Sequence, residues 1–292
     1  MLELSKWYDQ LSAGANVRPI LIGEIGVNHN GSLGTAIEMI DMAVKNGCDL
    51  VKFQKRNPDV CVPEAKKNEM RETPWGYITY LEYKKKIEFE KEEFDKIEAH
   101  CRKLGVAWSA SAWDLDSQSF LSRYNLSFNK VASAMNTNIP LLKMIAAEKK
   151  LTFLSTGMAE ISDIDRSVEI FERYACPIIL LHTVSTYPAA ENELNLRNIS
   201  MLQKRYGHPV GYSGHEPSVS PSIVAAAIGA VVIERHVTLD RSMWGTDQSA
   251  SLEPQGLRYL SSVLGKVQTV LGREEKIYLE SEKKAARNLR YW

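Results

Sequence analysis

Two histidines in the last third of the chain have the chemistry and the spacing of a metal site. His215 lies in GYSGHEPS and His236 ends VVIERH, each at the end of a strand-like segment. Strand ends are where the loops of a parallel α/β protein carry its chemistry. Neutral imidazoles suit Mn, Zn, Co or Fe, so the pair predicts one shared divalent cation. The alternative is that both histidines are structural.

Two lysines inside strand-like segments predict an anionic substrate. Lys52 lies in VKFQ and Lys130 begins KVAS. A buried lysine without a partner is costly, and a phosphate or carboxylate would supply that partner. Serine hydroxyls at neighbouring strand ends would donate to the remaining oxygens. The alternative is that each lysine pairs with a strand glutamate, such as Glu24 or Glu234.

The elements that must position these residues alternate along the chain, with short apolar runs separated by amphipathic helical patterns. The predicted strands are Ile20–Gly26, Leu50–Gln54, Val106–Ala110, Lys130–Ser133, Thr152–Thr156, Ile178–Val184, Val210–Ser213 and Val231–Val237. The predicted helices are Gly34–Asn46, Lys91–Leu104, Asp116–Tyr124, Ile139–Lys149, Ser162–Tyr174, Asn198–Tyr206, Ser220–Ala227 and Gln255–Leu271. This alternation predicts an α/β fold, a (β/α)8 TIM barrel. A doubly wound open sheet is the alternative, although no GxGxxG follows the first strand.

The chain divides into three predicted parts. Residues 1–19 would form a short N-terminal cap, either a plug or a hairpin under the barrel, and residues 20–272 the barrel itself. Residues 273–292 are charged and predict a C-terminal helical tail. The segment Pro58–Lys86 is an oversized loop after the second strand, and loops of that length usually cover a site or form an interface.

The carboxyl ends of barrel strands face one pocket, and polar residues gather there. Those predicted to face it are Glu24, Asn28, Lys52, Gln54, Ser109, Ser111, Lys130, Ser133, Ser155, Thr156, His182, Ser185, Tyr187, Ser213, His215, Glu234 and His236. Taken alone, these residues predict a small anion bound beside a two-histidine metal. Activation of a carbonyl by a Lewis acid is the natural use of such a metal.

Composition narrows the class of protein. The chain has 292 residues with 36 basic and 36 acidic side chains, a balance that argues against a nucleic-acid partner. Its four cysteines are scattered without zinc-site spacing and predict free thiols in a reducing cytosol. The N-terminus does not read as a secretory signal, and the longest apolar run is too short for a bilayer. We therefore expect a cytoplasmic enzyme without a membrane partner.

A series of motifs, in order over about residues 18–290, resembles the sialic acid synthase family. The motifs are IGEIGVNHNGSLGTA at 22–36, VKFQ at 51–54, KVAS at 130–133, STGM at 155–158, LHTVSTYP at 181–188, GYSGHE at 211–216, ERHVTLD at 234–240 and GTDQSAS at 245–251. Members of this family condense phosphoenolpyruvate with an N-acetylmannosamine-type aldose. The resemblance implies a transferase that makes a nonulosonic, 2-keto-3-deoxy sugar acid and releases phosphate.

The resemblance also implies roles for individual residues. The residues expected to bind substrate are Gln54, Ser109, Ser111, Ser133, Ser155, Ser185, Tyr187 and Ser213. The residues expected to be catalytic are Glu24, Lys52, Lys130, Glu234 and Asp247. His215 and His236 match the family's metal ligands, which serve Mn or Mg, with Co as a further candidate. The implied reaction is attack by C3 of phosphoenolpyruvate on an open-chain aldehyde, and the implied assembly is a homodimer.

Three departures from the family pattern leave the acceptor sugar open. Met135 stands where the family carries a glutamate near the sugar, and the third-strand motif is WSASAWD at 108–114. The C-terminal antifreeze-like domain, which donates an arginine to the partner subunit's site, is expected to be absent. The acceptor could be N-acetylmannosamine, a diacetamido-trideoxyhexose or a simpler aldose. The rival functions are an octulosonate-type synthase, a Schiff-base aldolase using Lys52 or Lys130, and a non-catalytic sugar-acid-binding subunit.

Overall fold

Eight parallel strands close into a barrel in the computed structural model, which describes residues 3–292. The barrel strands are β1 (Ile20–Gly26), β2 (Leu50–Lys55), β3 (Ala107–Ala112), β4 (Phe128–Val131), β5 (Leu151–Ser155), β6 (Ile178–Thr183), β7 (Val210–Gly214) and β8 (Val232–His236). Each strand pairs with its neighbours in sequence, and β1 pairs with β8 to close the ring. The predicted (β/α)8 barrel is confirmed, and the open-sheet alternative is wrong.

Helices connect the strands and surround them. They are α1 (Leu4–Ser12), α2 (Leu33–Lys45), α3 (Pro58–Cys61), α4 (Tyr80–Ile87), α5 (Lys91–Leu104), α6 (Leu115–Leu121), α7 (Ile139–Ala147), α8 (Ile161–Arg173), α9 (Asn198–Tyr206), α10 (Ser220–Ala227), α11 (Pro254–Leu264), α12 (Val267–Leu271) and α13 (Glu280–Leu289). The buried stripe of α5, formed by Phe94, Ile97 and Cys101, has helical spacing and joins the core between the helices and the strands,.

A second core fills the amino-terminal half of the barrel interior. Its buried members are Leu4, Trp7, Ile20, Ile22, Leu50, Phe128, Leu151, Phe153, Ile179, Leu181 and Val232. Leu4 and Trp7 come from α1, so the segment before the first strand is a helix packed on the barrel floor, not a hairpin. Phe128 explains why β4 begins two residues earlier than predicted, since its apolar side chain belongs to this floor.

The segment after β2 is structured, although its sequence predicted only a long loop. It contains α3, a hairpin of two short strands (Met70–Thr73 and Gly76–Thr79) and α4. Thr79 and Glu82 form a capping box that starts α4,. The ring of Tyr83 on α4 lies 5.2 Å from that of Trp244, in the loop after β8. The segment from α3 to α4 (residues 58–87), called the hairpin segment below, therefore lies over the carboxyl-terminal face of the barrel.

The chain after α12 lies on the surface. None of the residues of α13 is buried, in keeping with its charged sequence. Within residues 3–292, no helix combines the length and the apolar character needed to cross a membrane.

Candidate active site

Side chains on each strand alternate between the inside and the outside of the barrel, so inward-facing residues two positions apart lie at successive heights. The inward-facing residues nearest the carboxyl ends are polar and form a layer above the apolar floor. The parallel register aligns Glu24 on β1 with Lys52 on β2 and with His236 on β8. It also aligns Ser111 with Lys130. Every barrel strand except β6 therefore contributes at least one side chain to a common pocket at the carboxyl ends of the strands.

Most of the predicted site residues line this pocket. They are Glu24, Lys52, Gln54, Ser111, Lys130, Ser133, Ser155, Tyr187, Ser213, His215, Glu234 and His236. The pocket is also lined by Trp113, Ala132, Ala134 and Met158, which sequence reasoning missed. Trp113 lies in the altered third-strand motif, and that departure was the one signal that could have pointed to it.

Three predicted residues lie beside the pocket lining. Ser109 lies one layer deeper, where its hydroxyl donates to the Phe128 carbonyl at 2.9 Å. The Ser185 hydroxyl is buried and has no hydrogen-bond partner within residues 3–292. Asp247 lies outside the strands, with its Oδ2 3.9 Å from Nδ1 of His236. Ser109 is thus too deep to touch a ligand of the pocket, whereas the other two flank it.

Three further strand-end residues do not face the pocket, contrary to the prediction. His182 points away from the barrel interior, and its Nε2 contacts the Leu194 carbonyl at 2.7 Å. Thr156 donates its hydroxyl to the Leu181 carbonyl at 3.2 Å. The Asn28 amide donates to the Val237 carbonyl at 2.9 Å. The alternation of side chains explains His182, whose neighbours Leu181 and Thr183 take the inward positions.

Both inward lysines pair with glutamates, as the alternative interpretation predicted. Lys52 forms an ion pair with Glu24 and donates to the Ser111 hydroxyl at 2.9 Å. Lys130 lies 3.4 Å from Glu234 and donates to the Ser155 hydroxyl at 2.7 Å. The two lysine cations and the two glutamate anions sum to zero charge. An anion that binds here must therefore share the lysine N–H groups with the carboxylates and the serines.

Burial and charge set the protonation of the second pair. Burial lowers the pKa of Lys130 to about 8, although Glu234 opposes this shift. Burial alone would raise the pKa of Glu234, but the cations of Lys130 and Lys52 lower it to about 2. Both groups are therefore charged at neutral pH, and Lys130 is the one that titrates closest to it.

A narrow cradle lies where the loops after β4, β5 and β6 meet. A Cβ atom on Gly157 would lie 2.2 Å from the Ser185 hydroxyl and 2.8 Å from the Ser133 hydroxyl. Both hydroxyls therefore converge on the backbone of Gly157, which must lack a side chain. Lys130 and Ser155 lie at the same end of the pocket. Hydroxyl donors and a cation around one small space are the chemistry of a phosphate or carboxylate site.

The two histidines lie side by side at the carboxyl ends of β7 and β8. Their ring centroids are 5.4 Å apart, and the ring of Tyr187 lies 4.1 Å from that of His215. Nδ1 of His215 lies 2.7 Å from the Val184 carbonyl. Because a carbonyl can only accept, Nδ1 carries the proton and Nε2 keeps a free lone pair. Burial, together with His236, lowers the pKa of His215 to about 3, so the ring is neutral at physiological pH.

These imidazoles fit part of a metal coordination sphere. His215 presents its Nε2 lone pair, while Nδ1 of His236 is buried and has no hydrogen-bond partner in the described part of the chain. Neutral nitrogen donors of this kind suit Mn, Co, Fe or Zn. Within residues 3–292, no group of three or more histidine, cysteine or acidic side chains is arranged to hold a metal ion. The other coordination positions would therefore fall to substrate oxygens and water.

The side of the pocket near β2 and β3 differs from expectation. Met135, which the sequence placed near a sugar, packs against the core between helices and strands, because a 3-10 turn over Ser133–Met135 directs it there. Ala134 lines the pocket instead. Trp113 stacks under the Arg56 guanidinium, whose carbon lies 4.0 Å from the ring centroid. Arg56 was not predicted, since nothing in its sequence context distinguishes it from a surface arginine.

Comparisons with known proteins agree on one family. The model of the NeuB family matches residues 39–276. The chain is 36% identical to the N,N'-diacetyllegionaminic acid synthase of Campylobacter jejuni, over 91% of this chain and 81% of that protein. It is 40% identical to the N-acetylneuraminate-9-phosphate synthase of Drosophila melanogaster, over 84% and 66% respectively. The crystal structure of N-acetylneuraminic acid (sialic acid) synthetase from Leptospira borgpetersenii superposes with a TM-score of 0.84 at 32% identity, covering 95% of this chain and 94% of that one.

Proposed function

The chain belongs to the NeuB family, and from this premise we propose that it condenses phosphoenolpyruvate with an N-acetylmannosamine-like aldose. The products are a nonulosonic 2-keto-3-deoxy sugar acid and inorganic phosphate. The observation that carries this proposal is one small pocket lined both by a serine-lysine anion cradle and by two adjacent imidazoles. An electron-rich anionic substrate and a carbonyl substrate can therefore bind side by side.

Phosphoenolpyruvate is assigned to the end of the pocket with Lys130. Its phosphate would accept from Lys130 and from the hydroxyls of Ser133, Ser155 and Ser185. The Ser185 hydroxyl, buried without a partner, gains an acceptor in this arrangement. Lys52, with Ser213 on the opposite wall, would bind the carboxylate. Charge-assisted hydrogen bonds from several strands would fix the orientation of the double bond.

The acceptor aldehyde is assigned to the histidine end. His215 and His236 would hold the divalent metal, Mn or Mg with Co as a further candidate, and its chemistry when bound is Lewis-acid polarisation of a carbonyl. Glu24 lies next to His236 in the strand register and is held by Lys52 and by the Gln54 amide at 3.1 Å. This carboxylate is therefore positioned to transfer protons to and from the oxygen atoms on the reacting carbons.

The reaction consists of two bond-forming events. C3 of phosphoenolpyruvate forms a carbon–carbon bond to the aldehyde carbon, and the aldehyde oxygen takes a proton to become a hydroxyl. Water then adds at C2 and gives up one proton, which balances the proton taken by the aldehyde oxygen. The bond between C2 and the phosphate oxygen breaks, the proton of the C2 hydroxyl leaves with the phosphate, and C2 becomes the ketone of the product. Lys130 and Lys52 stabilise the leaving phosphate and the carboxylate throughout.

Family membership restricts the acceptor sugar least, because members of the family are named for different sugar acids. The relatives include synthases named for diacetyllegionaminic, pseudaminic and N-acetylneuraminic acids, the last also as a 9-phosphate. We therefore propose a 2-acetamido aldose as the class of acceptor. We place the reaction in the cytoplasm, because all four cysteines are free thiols, as is usual in a reducing compartment.

The decisive experiment measures phosphate release from phosphoenolpyruvate with Mn across a panel of aldoses. The panel contains N-acetylmannosamine, its 6-phosphate, diacetamido-trideoxyhexoses and arabinose 5-phosphate. We expect release that depends on a 2-acetamido aldose. Release that depends only on arabinose 5-phosphate would instead support the octulosonate-type reaction. Binding of phosphoenolpyruvate without release for any sugar would support a non-catalytic binding subunit.

A variant links the activity to the cradle. Lys130→Ala is expected to raise the KM for phosphoenolpyruvate and to lower kcat, since it removes both positioning and charge. Lys150→Ala is the matched control, because Lys150 pairs with Glu148 at 3.0 Å outside the pocket. Borohydride treatment with pyruvate is expected to leave no covalent adduct on Lys52 or Lys130. An adduct would favour a Schiff-base aldolase.

The family resemblance also implies a homodimer, for which we propose a contact through barrel faces or the hairpin segment. Size-exclusion chromatography with light scattering tests the assembly, and a monomer at micromolar concentration would contradict it.

A further inference from the structure

Three cations from the segment after β2 lie around the rings of Trp113 and Tyr83, with Glu88 and Asp247 near enough to influence them but not in ion-pair contact among residues 3–292. Arg56 follows β2, Arg71 lies in the hairpin and Lys84 lies on α4. None of the three belongs to an ion pair among residues 3–292. Like charges repel, so a cluster of this kind is unfavourable unless an anion joins it.

Arg56 connects the cluster to the reaction pocket. One Nη donates to the side-chain oxygen of Gln54, and the guanidinium stacks on the ring of Trp113 at 4.0 Å. Both Gln54 and Trp113 line the pocket. The second Nη of Arg56 and the indole Nε1 of Trp113 are buried and have no acceptor among residues 3–292. Two adjacent donors thus lack a partner at the edge of the pocket.

Arg71 and Lys84 are held by aromatic rings from above. The Arg71 guanidinium carbon lies 4.5 Å from the centroid of Tyr83 and 5.7 Å from that of Trp244. The Lys84 ammonium lies 5.2 Å from the centroid of Tyr83. Stacking leaves the in-plane N–H groups of a guanidinium available. Nε of Arg71 is buried, and no described residue supplies it with an acceptor.

The charges of Arg56 and Arg71 act on the ammonium group of Lys84. Burial, and then the charges of Arg56 and Arg71, lower the pKa of Lys84 to about 8. Asp247 and Glu88 act in the opposite direction on the same ammonium group. Trp244, whose ring centroid lies 5.7 Å from the Arg71 guanidinium, belongs to the same loop after β8 as Asp247, and Asp247 Oδ2 lies 3.9 Å from Nδ1 of His236. The aromatic side of the cluster therefore lies against the loop that adjoins the histidines.

We propose that Arg56, Arg71 and Lys84 bind a phosphomonoester on the acceptor aldose, at the end of its chain remote from the aldehyde. This inference rests on the proposed function, because it takes the acceptor to enter at the histidine end. Two guanidinium groups with free in-plane donors suit the three oxygens of a phosphate. Three cations also match a dianion better than a carboxylate, which a single guanidinium can satisfy. The phosphate of phosphoenolpyruvate is a separate group, assigned to Lys130 and its serines.

The test compares N-acetylmannosamine with N-acetylmannosamine 6-phosphate as acceptors, in the presence of phosphoenolpyruvate and Mn. We expect kcat/KM to be at least about 100-fold higher for the 6-phosphate, as two charge-assisted hydrogen bonds would give. Arg71→Gln is expected to lower kcat/KM for the 6-phosphate about 10- to 100-fold, and to lower it far less for the neutral sugar. The KM for phosphoenolpyruvate should stay within about twofold, because the cradle is intact.

Matched variants separate binding from folding. Lys86→Gln removes one charge from the exposed side of α4 and is expected to behave like the unmodified protein. Arg71→Lys should recover part of the lost kcat/KM, and Lys84→Gln should reproduce the preference change if Arg71→Gln does not fold. Melting temperatures identify a folding defect.

The outcomes distinguish this proposal from the function on which it rests. Turnover with a neutral 2-acetamido aldose at equal or higher kcat/KM would overturn the phosphate subsite and leave the synthase standing. Higher kcat/KM with N-acetylmannosaminuronic acid than with the 6-phosphate would also overturn it, in favour of a carboxylate. The absence of phosphate release with every acceptor would instead count against the synthase itself. Equal losses for both sugars in Arg71→Gln would reduce Arg71 to a structural role.

Discussion

Glu216 and Arg235 form an ion pair that is completely buried behind the barrel wall, with 3.1 Å between Oε1 and Nη1. Glu216 follows His215 directly, and Arg235 precedes His236. The Tyr212 hydroxyl donates to the same carboxylate at 2.7 Å, and Arg235 donates to the Ser222 hydroxyl at 2.9 Å. This network on the outer face of β7 and β8 fixes the two strand ends that carry the inward histidines.

Loss of one charge of this pair should be costly. Glu216→Gln would leave the Arg235 cation buried without a counter-charge, at a cost of about 3 kcal/mol or more in the free energy of unfolding. We expect the melting temperature to fall by at least about 5 °C. Urea unfolding would measure the free energy directly. Glu172→Gln is the control, because Glu172 pairs with His208 on the surface, and an equal loss there would contradict the argument.

Gly157→Ala should impair phosphoenolpyruvate binding while leaving the fold intact. The added methyl group would lie within 3 Å of the hydroxyls of Ser185 and Ser133, which must then move out of the cradle. We expect kcat/KM for phosphoenolpyruvate to fall more than about tenfold, by the loss of at least one hydrogen bond to a charged group. Gly34→Ala makes the same change where the nearest atom is 3.8 Å away. Equal kinetics in the two variants would remove Gly157 from the site.

Binding of phosphoenolpyruvate should weaken at alkaline pH. Burial lowers the pKa of Lys130 to about 8, so in the free protein this ammonium is charged below that pH and neutral above it. An anion needs the charged form of Lys130. The affinity for phosphoenolpyruvate is therefore highest below about pH 8 and declines as the pH rises further. Calorimetry from pH 6.5 to 9.5 would measure it, with proton uptake accompanying binding at the upper end. Affinity that stays constant across this range would show that Lys130 does not contact the substrate.

Metal affinity should depend on both histidines. His215→Ala and His236→Ala each remove one nitrogen donor, and we expect the affinity for Mn to fall at least about tenfold, with turnover lost. Titration followed by the electron paramagnetic resonance of free Mn measures affinity independently of activity. His208→Ala is the control, since His208 is a partly exposed surface residue. Unaltered Mn binding in either site variant would refute the assignment.

The alternation of side chains along strands allowed much of the site to be predicted from the sequence. Glu24, Lys52 and Lys130 interrupt otherwise apolar strands, and parallel strands bring such residues to one end of a barrel. The eight strands were also predicted to within a few residues, because each is a short apolar run between helical patterns. The prediction failed for the direction in which some side chains point. His182 and Thr156 lie next to inward-facing residues, and a difference of one residue changes the face of a strand.

Pairing across the pocket could not be predicted, because it depends on distances between strands that are remote in sequence. The sequence left open whether Lys52 and Lys130 pair with glutamates, and the barrel register decided that they do. The cluster of Arg56, Arg71 and Lys84 depends on a hairpin whose residues carry no strong strand pattern, and on Trp244 from the far end of the chain. The sequence by itself determined the fold and the set of polar residues available to the site, since local periodicity encodes both. Only the tertiary structure decided which charges are neutralised and which remain free for a substrate, because charge interactions depend on separation in space and on burial.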